Sequence, residues 1–172
     1  MVQENTKEGY ALKVRVKFAK EGAMKFIGHL DIMRYFQKAV KRANLDVAFS
    51  EGFSPHMIMS FASPLGVGIT STGEYFDMEL KSATTSSDMV KRLNDAMAEG
   101  MKILSIRQVE DGKASKAMSL VAAADYRLKF RETAKLPENW KEKLEEFKAQ
   151  KEIVILKKTK KSEKELDIRP FI

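Results

Sequence analysis

The sequence predicts an α+β protein: a ferredoxin-like β-α-β-β-α-β sandwich followed by a second, incomplete ferredoxin-like β-α-β-β unit. Three observations predict it. Strict two-residue alternation in Leu12-Lys13-Val14-Arg15-Val16-Lys17-Phe18, and again from Glu74 to Leu80, marks half-buried strands. Segments between the strands repeat their apolar residues at helical spacing instead. Beyond residue 119, Tyr126-Arg127-Leu128-Lys129-Phe130 repeats the apolar and basic alternation of the first strand, so the pattern begins again.

Taken in order, the first strand presents a wholly basic outward face and ends before the Glu21-Gly22 turn. Ile32, Tyr35, Phe36, Ala39, Val40 and Ala43 then place one apolar stripe on a helix over about residues 29 to 43. Asp31 sits in its first turn, where the helix dipole favours an acid. Leu45 to Phe49 reads as a short strand, Gly52-Phe53-Ser54-Pro55 as a loop, and Met57 to Phe61 as a further short strand. From Glu74 to Leu80, Phe76, Met78 and Leu80 share one side and Tyr75, Asp77 and Glu79 the other. The Thr85-Ser86-Ser87-Asp88 cluster offers caps to a second helix carrying Met89, Val90, Leu93, Ala96 and Met97, and Gly100 stands where a C′ glycine would end it. A strand from Met101 to Val109 closes the first unit.

Residues 1–10 read as a flexible tail, 11–110 as the ferredoxin-like domain, 111–119 as a linker and 120–172 as the partial second unit. In that second unit Pro137 opens a helix with Trp140, Leu144 and Phe147 on one face. Ile153 to Lys157 and Leu166 to Ile168 form a hairpin across the charged turn Lys158 to Lys164. A unit lacking its final helix and strand leaves a sheet edge open, which favours self-association.

With 172 residues and 44% hydrophobic content the chain can bury a core. No apolar run approaches the roughly 20 residues that span a bilayer, and the first ten residues lack a signal-peptide centre, so no membrane is expected and the cytoplasm is the default. The absence of cysteine excludes disulfides, thiolate zinc sites and Cys-ligated iron–sulfur clusters within this sequence. Neither a cofactor nor a metal is expected. A formal charge of +7, from 31 basic and 24 acidic residues, favours polyanionic partners such as RNA wherever the excess gathers on one face.

Two such faces are candidates. On the first helix Arg34, Lys38, Lys41 and Arg42 form one basic stripe opposite the apolar one, able to track phosphates or simply to keep the helix solvated. On the first strand Lys13, Arg15 and Lys17 line the sheet face left open by the helices. There Asp77 and Glu79 of the neighbouring strand compete as cross-strand partners. His29, at the first helix's N-terminus, is a candidate acid, base or anion donor, or one part of a cap with Gly28 and Asp31. His56 follows a loop suited to display binding residues, or to form a turn plugged by Phe53. Leu65-Gly66-Val67-Gly68 lacks both the phosphate-loop ending and the dinucleotide fingerprint, so its glycines read as bend chemistry.

The clusters Gly28-His29-Leu30-Asp31-Ile32-Met33-Arg34, Ser50-Glu51-Gly52-Phe53-Ser54-Pro55-His56, Phe61-Ala62-Ser63-Pro64-Leu65-Gly66-Val67-Gly68 and Gly73-Glu74-Tyr75 resemble the radical SAM-associated domain of unknown function, a bacterial family also called radical SAM-linked. His29, Leu30, Asp31, Arg34, Gly52, Phe53, Pro55, Pro64, Leu65, Gly68 and Glu74 match its pattern; Gly28 replaces the usual Ser and Met57 a common Pro. The resemblance implies an accessory module for a radical SAM protein, whose iron–sulfur cluster would lie on that other polypeptide. A basic module of this kind would hold an RNA or ribonucleoprotein substrate. Two other readings stand beside it: a metal-independent enzyme using His29, loosely similar to the CRISPR RNA-processing endoribonucleases, and a scaffold that docks the radical SAM partner without RNA.

Overall fold

The alternating segment at the start of the chain becomes β1 (Leu12–Lys20), an inner strand with a partner on each side. Its neighbours are β3 (Ser71–Leu80) and β4 (Met101–Gln108), and β2 (Met59–Phe61) extends the sheet beyond β3. The four strands are antiparallel in the order β2-β3-β1-β4. A computed structural model supplies this description for residues 11–110, 116–159 and 162–172. The chain divides into two compact units, Met1–Ala124 and Asp125–Ile172. The expected tail, residues 1–10, and residues 111–115 of the expected linker lie outside the described residues.

Register sorts the side chains of the first unit onto two faces. Val14 opposite Met78 and Val16 opposite Phe76 make the apolar face. Lys13 opposite Glu79, Arg15 opposite Asp77 and Lys17 opposite Tyr75 make the polar one. The helix α1 (His29–Arg42) buries Ile32, Phe36 and Val40 on the apolar face, and α2 (Ser86–Asp95) buries Met89 and Leu93 in the same core. Phe36 is its aromatic centre, with ring centroids 4.7 Å from Phe18 and 4.8 Å from Phe76. Each such buried side chain contributes about 1.5–3 kcal/mol through removal from water. Thr85 caps α2 by accepting from the Asp88 N–H, as the Ser/Thr/Asp cluster predicts. Gly28 caps α1 without a side chain.

Two expectations within this unit change. Leu45 to Phe49 is not a strand but two isolated bridges, Val47 to Leu80 and Phe49 to Met57. The reason is competition for one edge: Glu79 of β3 donates its N–H to the Ile58 carbonyl and accepts at its own carbonyl from Ala48, so the two segments share the outer side of β3. Gly100 is not the C′ residue of α2, which already ends at Asp95 with Ala96 as its cap. It makes the turn into β4 at φ 87°, where its carbonyl accepts from the Glu21 N–H at 2.7 Å. A Cβ there would lie 2.6 Å from the Glu21 carbonyl oxygen, so glycine is required by space as well as by φ.

The short helical turn α3 (Ala117–Leu120) lies on the polar face of the sheet. Its Ala117 is buried and donates its N–H to Asp77 Oδ2 at 2.8 Å.

The second unit holds α4 (Trp140–Ala149) and the hairpin of β5 (Val154–Lys158) with β6 (Glu163–Asp167). Here the expected β-α-β-β unit is corrected to α-β-β, because Tyr126 to Phe130 form no strand. The alternation specifies which side chains share a face, but a strand also needs another strand for its N–H and C=O groups. The only sheet described in this unit is the two-stranded hairpin, which pairs with itself. Phe130 instead meets Trp140 edge-on, ring centroids 5.4 Å apart. Leu128, Leu144, Val154 and Leu156 are exposed, while Ile153 is buried. Among the described residues no helix is long and apolar enough to cross a membrane.

Candidate functional site

The site begins with a lysine on the wrong face of a strand. Lys20 shares the parity of Val14, Val16 and Phe18, so the end of β1 carries an ammonium group toward the core side, where it is 2% exposed. Its Nζ donates to the Ile27 carbonyl at 2.9 Å, tying the strand end to the turn that leads into α1. Burial lowers its pKa from the ordinary lysine value, and the nearby Glu74 carboxylate opposes that shift. Glu74 comes from β3, opposite Phe18 in register.

His29, the first residue of α1, stands edge-on to Phe61, with ring centroids 5.7 Å apart. Lys20, His29, Glu74 and Ser63 line one cavity with Phe18, Ile32, Phe61 and Leu65. Its volume is about 10 Å³, the room one water needs. Lys20, His29, Glu74 and Ser63 thus border one largely apolar space of a size suited to a water.

The other expected residues separate into distinct places. Arg34, Lys38, Lys41 and Arg42 are exposed on α1. Arg34 reaches Asp31 at 3.4 Å, and Arg42 donates to the Ala96 carbonyl at 2.8 Å, joining α1 to the end of α2. Lys13, Arg15 and Lys17 occupy the opposite face of the sheet from the helices, so the two basic surfaces do not merge. On that face Arg15 makes a two-pronged ion pair with Asp77, Nε to Oδ1 at 2.7 Å and Nη2 to Oδ2 at 3.0 Å. This partnership raises the pKa of Arg15, and Asp77 also holds α3. Lys17 lies over the Tyr75 ring at 5.7 Å.

His56 sits elsewhere, closing the Ser50 to His56 loop. Its Nδ1 is 2.8 Å from Ser50 Oγ, and its N–H donates to the same oxygen. Phe53 does not plug this loop; it is fully exposed, beside exposed Glu51, Gly52 and Pro55. The glycine-rich segment makes bends, with Gly68 donating its N–H to the Lys25 carbonyl at 2.8 Å. Among the described residues no three His, Asp or Glu side chains gather to hold a metal.

Residues 13–172 match one protein family, described as uncharacterized proteins conserved in bacteria. The chain belongs to DUF2344. No curated protein matches it. The DUF2344 match takes in both histidines, the α1 stripe, the cavity and the second unit.

On this DUF2344 chain the sequence singles out His29 and Glu74, places Phe61 and Ser63 in a family-like cluster without a role, and leaves Lys20 unmarked. The signal for Lys20 was present: it continues the even-numbered series Val14, Val16, Phe18 onto the apolar face. Phe61 and Ser63 join through the pairing of β2 with β3, a contact that no local pattern announces.

Proposed function

We propose that the chain is an RNA-binding accessory module of the bacterial cytoplasm, its first unit a ferredoxin-like sandwich, which holds an RNA or ribonucleoprotein substrate for a radical SAM partner. The observation that carries the reading is the outward ridge of α1. Ile32, Phe36, Ala39 and Val40 are buried, and Arg34, Lys38 and Lys41 project on the exposed side of the same helix. A row of cations at helical spacing can follow a phosphate backbone, and each neutralised phosphate releases counterions. The sheet face is the weaker candidate, because Asp77 engages Arg15 and α3 lies on it.

Titration of fluorescent RNA across a salt series tests this. Binding should weaken steeply with salt, and Arg34→Ala/Lys38→Ala/Lys41→Ala should reduce both the affinity and the slope of log K against log salt by roughly 0.7 per lost contact on a single strand. Unchanged affinity in that variant would remove α1 as the contact. The enzymatic reading is favoured by Lys20 and Glu74 lining the cavity with His29. It requires RNA cleavage in EDTA that disappears in His29→Ala; binding without cleavage supports the module.

A further inference from the structure

The basic ridge of α1 has an apolar head. Leu30, Arg34, Lys38 and Lys41 recur at helical spacing along the exposed side of the helix, and Leu30 in the first turn is 68% exposed. Just before the helix, Phe26 ends the 3-10 turn Gly22–Phe26 and is 66% exposed, with the Lys25 ammonium 5.0 Å from its ring centroid. The hydrogen bond from Gly68 N–H to the Lys25 carbonyl brings the exposed Val67 alongside. An exposed aromatic ring thus precedes by three residues the helix that carries the row of cations, on backbone held from both sides: Ile27 donates its N–H to the Met24 carbonyl, and Gly68 to that of Lys25.

We infer that Phe26 is a stacking platform for an unpaired base, so that the RNA bound along α1 is single-stranded where it passes the helix N-terminus. The inference rests on the proposed RNA-binding role and deepens it by naming the substrate class. Cations recognise the backbone of any nucleic acid, whereas an exposed ring beside them adds affinity only for bases free of a duplex. The ring already carries a cation, the combination used where single strands are bound through backbone and bases together. A lipid surface is the less suitable occupant. A helix that lies on a bilayer buries its apolar face there. The apolar face of α1 is already spent on the core through Ile32, Phe36, Ala39 and Val40.

The test compares a labelled oligouridylate with a duplex RNA of the same length, using the full chain. Phe26→Ala should weaken the single strand about tenfold, the loss expected for one stacked base, leave duplex affinity unchanged and leave the salt slope of the wild type intact. Phe26→Trp should retain binding and show indole quenching by the oligonucleotide beyond any change in the native Trp140. The inference is overturned if Phe26→Ala affects neither RNA, or both equally, while the Arg34/Lys38/Lys41 variant still loses affinity and slope; the RNA-binding role then survives alone. Binding of neither RNA by the wild type removes both. Tight binding to phosphatidylglycerol vesicles that Phe26→Ala abolishes, with no single-strand preference, assigns the patch to a membrane surface instead.

Discussion

Leu12 to Phe18 and Tyr126 to Phe130 carry the same alternation of apolar and basic residues, yet the first is an inner strand and the second is no strand at all. In the first unit β1 has β3 on one side and β4 on the other, and two helices bury its apolar face. In the second unit the described sheet is a hairpin, and Tyr126, Leu128 and Phe130 remain exposed. Periodicity therefore records a preference for a two-faced surface, and the surface exists only where other strands and a covering layer complete it. The same contrast runs through the cores. The first unit centres on interlocking phenylalanines, whereas the buried apolar residue of the second, among those described, is Ile153.

The largest test of that contrast removes an equivalent ring from each unit. Phe36 is fully buried against Phe18, Phe61 and Phe76. Phe36→Ala should cost about 3–5 kcal/mol, through lost transfer energy and the cavity left behind. Phe147 on α4 is exposed, and Phe147→Ala should change stability by no more than about 1 kcal/mol. Urea unfolding of both variants makes the comparison. Losses of similar size would mean that α4 covers a real core, contrary to its exposure.

A second test compares ion pairs. Arg15 and Asp77 form a largely buried pair that also holds the Ala117 N–H, while Lys158 and Glu163 pair across the exposed hairpin at 2.7 Å. Removing one partner of a buried pair strands the other, so Asp77→Ala should cost about 3–5 kcal/mol, an upper figure because Arg15 keeps some access to water. Glu163→Ala should cost less than about 1 kcal/mol. Replacing both partners, Arg15→Met with Asp77→Leu, should recover part of the loss, because no stranded charge remains. Equal effects from Asp77→Ala and Glu163→Ala in thermal melts would deny the sheet face its buried character.

These residues also show what the sequence makes legible. The first unit's strands β1, β3 and β4 and both long helices follow from apolar spacing and from the Thr85 cap, because each depends on residues close in sequence. The pairing of Arg15 with Asp77 was foreseeable once β1 and β3 were neighbours, since register places them opposite one another. What local pattern does not carry is competition and coverage. The segment 45–49 loses its strand to a shared edge, and 126–130 loses its own for want of a partner. The cavity shows both sides: His29 and Glu74 stood out as residues, but their convergence with Lys20 and Ser63 depends on three separate elements and the loop after β2.

The smallest effect in the series concerns Lys20, a lysine buried in the first unit; every described lysine of the second unit is exposed. Burial lowers its pKa in the folded protein below the ordinary value of 10.5. As pH rises through that lowered value the folded protein gives up the proton while the unfolded chain still holds it. The unfolded state then binds more protons, so this group's contribution makes stability rise with pH until the ordinary value is passed, and weaken as pH falls. Lys20→Met removes the titration and also the bond to the Ile27 carbonyl, so it should lower stability by about 1 kcal/mol and, separately, make the alkaline part of the stability curve less favourable in slope than wild type. Urea midpoints at successive alkaline pH values distinguish the two consequences. A constant offset with parallel slopes would show that the lysine serves as a tether alone, with its ammonium as well solvated in the fold as in the unfolded chain.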